Sequence, residues 1–458
     1  MSSPTLRYSI YDGIAFSLMV GLGETYLAAF ALALGYNDVV SGLITAAPLF
    51  TGALLQLTTP YGVRKLGSFK RWVCACVAAQ GLSFLPFVVL GFLGELRPLP
   101  VFVLFFLVAL YWAAGMASGP AWNTWMSTII PKDTRVSFFS RRNWMMSAAV
   151  LTGILVGGVS LHAAGTGPWL LPTFALLFTG ACLSRLLSAY FLTRQDEPKG
   201  ASLELQRVPL RSLWRKIRTE NYGKILLYLM CVQVGAQFSA PYFSPFILSH
   251  LQFSYAEFMW LVSASLLARM LTSPFVSRWT PRWGVHRLLL IAGIGIIPTP
   301  ALLLLSQDIA WITLVQVTAG FFWAIYEFAA FLILFEEIPE KERTNILTTY
   351  NLFSTLAMLV GSVCGGWVLS TYLGSSQAYM IVFLTASTLR LLAIFALLSA
   401  GEIKKIRFKR LPLDWRAPWG LRPLQGSIAR LFFLKAKPVA GDRAAPPAAK
   451  PDREVPRP

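Results

Sequence analysis

The chain has 458 residues, 55% hydrophobic and only 13% charged, with a formal net charge of +19 and a mean hydropathy of +0.58. That balance excludes a soluble globular protein, which needs far more polar surface to cover a core of this size. It leaves an all-α protein of the membrane, with its positive charge still to be explained.

Apolar runs of about twenty residues recur from Tyr8 to Ala400, each long enough to cross roughly 30 Å of hydrocarbon as a helix. Helices are required because backbone groups facing lipid must be satisfied within their own segment. In chain order, spans are predicted near residues 8–34, 38–62, 71–94, 99–130, 136–163, 168–193, 224–250, 255–278, 285–306, 309–337, 343–373 and 377–400. The first run follows a single basic residue, Arg7, and has no small-residue cleavage site after it. It reads as a retained span, not a signal peptide.

Once the spans are drawn, the positive residues sort by side. Arg64, Lys65, Lys70 and Arg71 follow the second span; Lys132, Arg135, Arg141 and Arg142 follow the fourth. Arg278, Arg282 and Arg287 follow the eighth, and Lys341 and Arg343 the tenth. The connection after the sixth span and the tail after the twelfth are also rich in Lys and Arg, whereas the alternate connections offer only Arg97. So lopsided a split is an orientation signal, which places both termini in the cytoplasm and the protein in the cell membrane. It also removes the reason to invoke nucleic acid as a partner.

The sequence repeats itself at matching places. I-P-K-D-T-R after the fourth span, with Pro131 and Arg135, answers I-P-E-K-E-R after the tenth, with Pro339 and Arg343. At that same spacing Asn143 meets Asn351, Gly153 meets Gly361, and Gly157-Gly158 meets Gly365-Gly366. S-R-L-L at Arg185 answers L-R-L-L at Arg390, and Gly67 and Gly284 each sit in a short basic loop. Several matches in one order indicate two related six-span bundles. The expected organisation is therefore a first bundle over 1–194, a basic cytoplasmic linker over 195–223 and a second bundle over 224–402. A basic, Ala/Pro-rich tail, partly disordered, occupies 403–458. Two such bundles, related by a pseudo-two-fold axis along the membrane normal, form a transporter architecture with its site between them.

From Tyr8 to Glu402 this layout resembles the major facilitator superfamily. D-G-I-A-F from Asp12, the L-L-A-R-M-L-T-S-P block around Arg269, and the P-x-x-x-R start of the eleventh span carry the likeness. Members of that family have a loop between spans two and three reading roughly G-x-x-x-D-R-x-G-R-R. Here P-Y-G-V-R-K-L-G-S-F-K-R keeps Gly67 but puts Arg64 where the acid belongs, and the second copy keeps Arg282 and Gly284 with Pro281 at that place. The family's acidic latch is therefore not expected, and gating contacts at Arg64, Gly67, Arg282, Gly284, Arg135 and Arg343 must be arranged differently. Drug-exporting members resemble one another in a Gly-Pro motif of span five; G-I-L-V-G-G from Gly153 lacks the proline.

Charges that should not lie in hydrocarbon are the most informative residues. An unpaired one costs at least about 2.5–3.5 kcal/mol on insertion scales, so it faces a cavity or a partner. Glu24 falls near the middle of span one and Glu327 near the middle of span ten; the resemblance puts both helices, with spans four and seven, around a central cavity. An acid there can take up and release a proton, which is what a proton-coupled carrier requires. Arg269, in mid-span eight, calls for a carboxylate or an anionic solute. Arg185 and Arg390 read as snorkelling or locally paired, and Asp12 as a partner of a helix dipole. Tyr26, Trp122, Asn123, Gln233, Gln237 and Tyr326 are the expected cavity lining, and Pro241 and Pro245 should break span seven. At the spacing of Gly67 to Gly284, Glu24 falls opposite Pro241.

No G-x-x-x-x-G-K-[ST] loop is present, so ATP hydrolysis is not indicated, and no cofactor or metal is expected. The sequence reads as a monomeric secondary carrier of a small solute, coupled to protons and working by alternating access. An exporter or lipid flippase of the same fold is the alternative; a non-transporting receptor or a membrane-embedded transferase is more distant, and no enzymatic activity is expected.

Overall fold

A computed structural model describes residues 4–93, 100–130, 132–197, 221–337, 340–372 and 377–399. The described residues of the linker are 195–197 and 221–223; the rest of it, and the tail, lie outside. The described residues are helical, with no strand among them, and form twelve spans in two six-helix bundles. Eleven helices are long and apolar enough to cross a membrane. The remaining one, Tyr255–Trp283, is the eighth span, a 29-residue helix carrying Glu257 and Arg269.

Each helix starts and stops for local reasons. The Asn37 side chain accepts from the backbone N–H of Val40 to start span two, and Ser68 accepts from Arg71 to start Phe69–Leu82. Ser254 and Glu257 form a capping box that starts span eight, satisfying donors that would otherwise be orphaned at a helix N-terminus. Gly67 closes the helix Thr59–Leu66 with φ of 64°, a left-handed cap that glycine adopts without penalty.

As Pro241 and Pro245 suggest, span seven is broken. An α-helix over Asn221–Ser239 gives way to a 3-10 turn, Ala240–Tyr242, and then to a π turn, Phe246–His250. Span one is broken too, with no proline to announce it: Pro4–Leu22 is followed by a 3-10 turn, Glu24–Tyr26, and then by Leu27–Ala33.

The halves meet where span two packs on span eleven and span five on span eight. Their contact is uneven along the membrane normal. At the end away from the basic connections, one apolar cluster joins both halves, from Phe30, Phe84, Phe87, Phe174 and Phe178 to Tyr242, Phe246 and Phe383. At the basic end each half keeps its own cluster, one around Val63, Phe69 and Trp125, the other around Leu229, Leu289 and Ile333. The two halves are thus sealed together at the far end.

Glycines make that seal close. A Cβ on Gly42 would fall on the ring of Tyr242, and one on Gly158 would fall on Met259. Gly42→Val should therefore overpack the junction at about 1–3 kcal/mol, read as a lower melting temperature of the purified protein. A melting temperature equal to wild type would show that the junction yields.

A polar contact crosses the seal. The Tyr379 hydroxyl donates to Asp38 Oδ2 at 2.7 Å, and the His250 ring lies 4.9 Å from the Tyr379 ring. A hydrogen bond to a charged group contributes about 1.5–3 kcal/mol, so Tyr379→Phe should favour opening of this end by roughly tenfold to a hundredfold. In a Met259→Cys background the rate of labelling by an impermeant maleimide should rise accordingly; an unchanged rate would mean the contact is idle.

Candidate functional site

The break in span one is what presents Glu24. Gly23 packs against the Phe84 ring and Ala181, where a Cβ would collide with both. Immediately after it, Tyr26 turns into the bundle, fully buried, and its hydroxyl donates to the Ile154 carbonyl while its ring lies on Gly157. The second half repeats the device: the Tyr242 hydroxyl donates to the Ser362 carbonyl, with Gly365 and Gly366 against the side chain. Two expectations are corrected by this. Tyr26 is a clamp between spans one and five, not cavity lining. Because Tyr26 matches Tyr242, Glu24 falls opposite Ala240 instead of Pro241. The repeated Tyr, read against the repeated glycine pairs, was the signal for it.

Glu24 lies in a chamber of about 310 Å³ inside the first bundle. Around it stand Asp12, Gln80, Tyr111, Asn123, Arg142 and Arg185, with the rings of Phe16, Trp112 and Trp122. A second cavity, of about 470 Å³, lies between the halves, lined by Gln56 of span two, Gln233 of span seven and Tyr350, Ser354, Thr355 and Met358 of span eleven. The two share Met116 and Gly119 as walls, and nothing lies within 4 Å of where a Gly119 Cβ would be. The chamber therefore adjoins the space between the halves.

Most charges in the chamber are committed. Arg142 donates from Nη2 to Asp12 Oδ2 at 3.2 Å and from Nε to the Ser9 carbonyl at 3.0 Å, with its guanidinium 4.5 Å from the Trp122 ring centre. Ser188 donates to the other Asp12 oxygen at 2.6 Å. Arg185 donates to Gln80 Oε1 at 2.8 Å and to Ser188 at 2.9 Å, over the Phe16 ring. Asp12, Arg142 and Arg185 are all buried. This network corrects two expectations: Arg142 belongs to span five and not to a basic connection, and Asp12 holds a buried arginine; of the two readings of Arg185, it is the local pairing that the structure shows. Glu24 is different. It is half-buried and accepts from the Tyr111 hydroxyl, but no ion pair reaches it among the described residues.

The other predicted residues are divided. Trp122 and Asn123 line the chamber and Gln233 lines the cavity between the halves, while Gln237 borders neither. Tyr326 is only 5% exposed and packs inside the second bundle against Tyr228 and Trp323, so it is not cavity lining. Glu327 accepts from Arg269 Nη2 at 2.9 Å, with side chains 54% and 38% exposed. Span ten borders neither of the two cavities. Sequence reading missed Gln80, Tyr111, Trp112, Gln56, Ser354 and Thr355 as lining, because neutral side chains in apolar runs carry no mark of the face they occupy.

Comparison with known proteins agrees with this architecture. The family model described as Major Facilitator Superfamily matches residues 225–439. A mutant of the nucleoside transporter NupG superposes with a TM-score of 0.71 at 13% identity, over 87% of this chain and all of that one. A D-xylose-proton symporter superposes with a TM-score of 0.64 at 12% identity, over 86% and 96%. The second half of the chain thus matches that family's model, and the chain as a whole shares the fold of these transporters. In sequence it is similar to a "Multi-drug resistance efflux pump PmrA homolog" of Lactococcus lactis subsp. lactis (strain IL1403), 24% identical over 378 residues, covering 78% of this chain and 86% of that one.

The protein handles its second connection in its own way. Arg64 is exposed and donates to the carbonyl of Pro60, one turn back. The acid is supplied instead from the end of span six: Glu197 accepts from the Ser68 hydroxyl at 2.5 Å and from the Lys70 backbone N–H at 3.2 Å, and Lys70 Nζ donates to the Gln195 carbonyl at 2.8 Å. A carboxylate at the N-terminus of Phe69–Leu82 is favourably placed for that helix dipole. Gly284, with φ of 78°, makes the corresponding turn before Val285–Ile296. The side chains of Arg135, Arg282 and Arg343 lie outside the described residues.

Proposed function

We propose that this transporter couples the movement of a small polar solute to protons, with Glu24 as the residue that binds and releases the proton. The observation that carries this reading is that Glu24 is the one acid of the chamber with no ion pair among the described residues. Asp12 is held by Arg142 and Ser188, and Glu327 by Arg269; a carboxylate fixed to an arginine has its charge committed. Glu24 instead holds a phenol, which tolerates either protonation state of the acid. Arg269 and Glu327 serve as a pair that neutralises each other within the membrane.

The solute would sit where the chamber meets the cavity between the halves. Amides at Gln80, Asn123, Gln56 and Gln233 and indoles at Trp112 and Trp122 suit a ring that carries hydroxyl groups. The similarity in fold to a nucleoside transporter and a pentose symporter supports this class. Alternating access would open the basic end in the state seen here, since the seal joining the halves lies at the far end. The basic connections support a cytoplasmic location for that end and for both termini, with the protein in the plasma membrane as part of this proposal. Export is the second reading, favoured by the efflux-pump relative.

Proteoliposomes with an imposed pH gradient test the proposal. Nucleosides and pentoses should accumulate only with the gradient and compete with one another. Accumulation of lipophilic cations, with sugars and nucleosides inert, would replace this solute class by the exporter reading.

A further inference from the structure

The second bundle contains a buried arginine with no counter-charge among the described residues. Arg390 is 4% exposed, and its Nη1 donates to the Ile296 carbonyl at 2.9 Å and to the Thr299 hydroxyl at 3.0 Å. Both partners are neutral, and no carboxylate contacts it among the described residues. Its Nε has no partner, and neither has the hydroxyl of Tyr228 or of Tyr326, all of them buried. An arginine does not neutralise itself by losing its proton, and an isolated ion in such surroundings is costly by several kcal/mol.

These unmatched donors occupy one small region. The Tyr228 and Tyr326 rings lie 6.2 Å apart, edge to face; Tyr326 lies 5.3 Å from Trp323, and the Arg390 guanidinium sits 5.8 Å from the Trp323 ring. The Tyr228 hydroxyl presses on Gly293, one turn of span nine before the Ile296 carbonyl that Arg390 uses. The first bundle shows how the same position is managed with acids: there Arg185 shares Ser188 with Asp12. In the second bundle Glu327 stands next to Tyr326 in sequence, but it is exposed and pairs with Arg269.

We propose that the second bundle holds a small inorganic anion, of halide size, between Arg390 Nε and the hydroxyls of Tyr228 and Tyr326. Three donors and a fixed positive charge match an anion that only accepts. Water would satisfy the hydroxyls but leave the charge uncompensated. The packed aromatic and glycine walls favour a monatomic ion over a phosphate or carboxylate. This site is independent of the transport reading, because Arg390, Tyr228 and Tyr326 line neither cavity.

Thermal unfolding of the purified full-length protein, at constant ionic strength, tests it with chloride or bromide replacing gluconate. A saturable, halide-specific rise in melting temperature is expected, since a ligand bound to the folded state alone stabilises it by mass action. In Tyr228→Phe/Tyr326→Phe the apparent halide affinity should fall at least about tenfold, as expected for the loss of two hydrogen bonds to a charge. Arg390→Gln should abolish the effect; if that variant does not fold, the double phenylalanine variant decides. Equal melting temperatures in gluconate and halide, or a halide response unchanged by removing both hydroxyls, would overturn the proposal. In crystals grown with bromide, an anomalous peak should lie between Arg390 and the two phenols; peaks elsewhere alone would count against it.

Discussion

Glu24→Gln should abolish solute accumulation driven by a pH gradient while leaving exchange of solute for solute intact. One proton moving down a gradient of about two pH units releases about 2.7 kcal/mol, enough to concentrate a singly coupled solute about 100-fold. A carrier that has lost its proton site can only equalise concentrations. Glutamine keeps the size of the side chain and an acceptor for Tyr111, whose hydroxyl donates to Glu24, so the geometry of the chamber should survive. Counterflow of labelled solute, which needs no proton cycle, should then continue and show that the variant is folded and binds. Glu327→Gln is the internal comparison: its carboxylate is already matched by Arg269 at 2.9 Å, so coupling should persist. Accumulation by the Glu24 variant at the wild-type ratio would remove Glu24 from the mechanism.

Asp12→Ala should be the most destabilising single change in the first bundle, by about 3–5 kcal/mol, because it strands a buried charge. Arg142 would lose its acid at 3.2 Å and Ser188 its acceptor at 2.6 Å, both in the bundle interior. The cost belongs to the stranded charge more than to the lost attraction, which makes the prediction specific. Replacing both partners, as in Asp12→Ala/Arg142→Met, should recover much of the loss, since an apolar pair of similar volume is often tolerated as well as the ion pair it replaces. Melting temperatures of the single and double variants give the comparison. A double variant no more stable than Asp12→Ala would mean that Arg142 is stabilised by its other contacts, the Ser9 carbonyl and the Trp122 ring.

The site was legible only in part, and particular residues show why. Glu24 could be picked out because an acid in an apolar run is conspicuous at any resolution of reasoning. Asp12 and Glu327 were equally conspicuous, yet their partners Arg142 and Arg269 lie 130 and 58 residues away along the chain. Which of the acids is left without an arginine is a property of how helices cross, and no local pattern carries it. The break before Tyr26 was missed for a related reason. Proline announces the break in span seven, whereas Gly23 makes the one in span one through its close packing on Phe84 and Ala181.

What the sequence determined by itself was the frame. Hydrocarbon thickness dictates the length of each apolar run, the positive-inside bias sorts the connections, and the repeated glycines register one bundle on the other; each of these acts on local composition. Tertiary structure alone decided the state of the charges. It buried Arg142 and Arg185 beside Asp12, tied Arg269 to Glu327, left Arg390 among neutral groups and left Glu24 with a phenol. Pairing energies in a low-dielectric interior depend on distances of a few ångströms between different helices, and those distances exist only once the spans have packed.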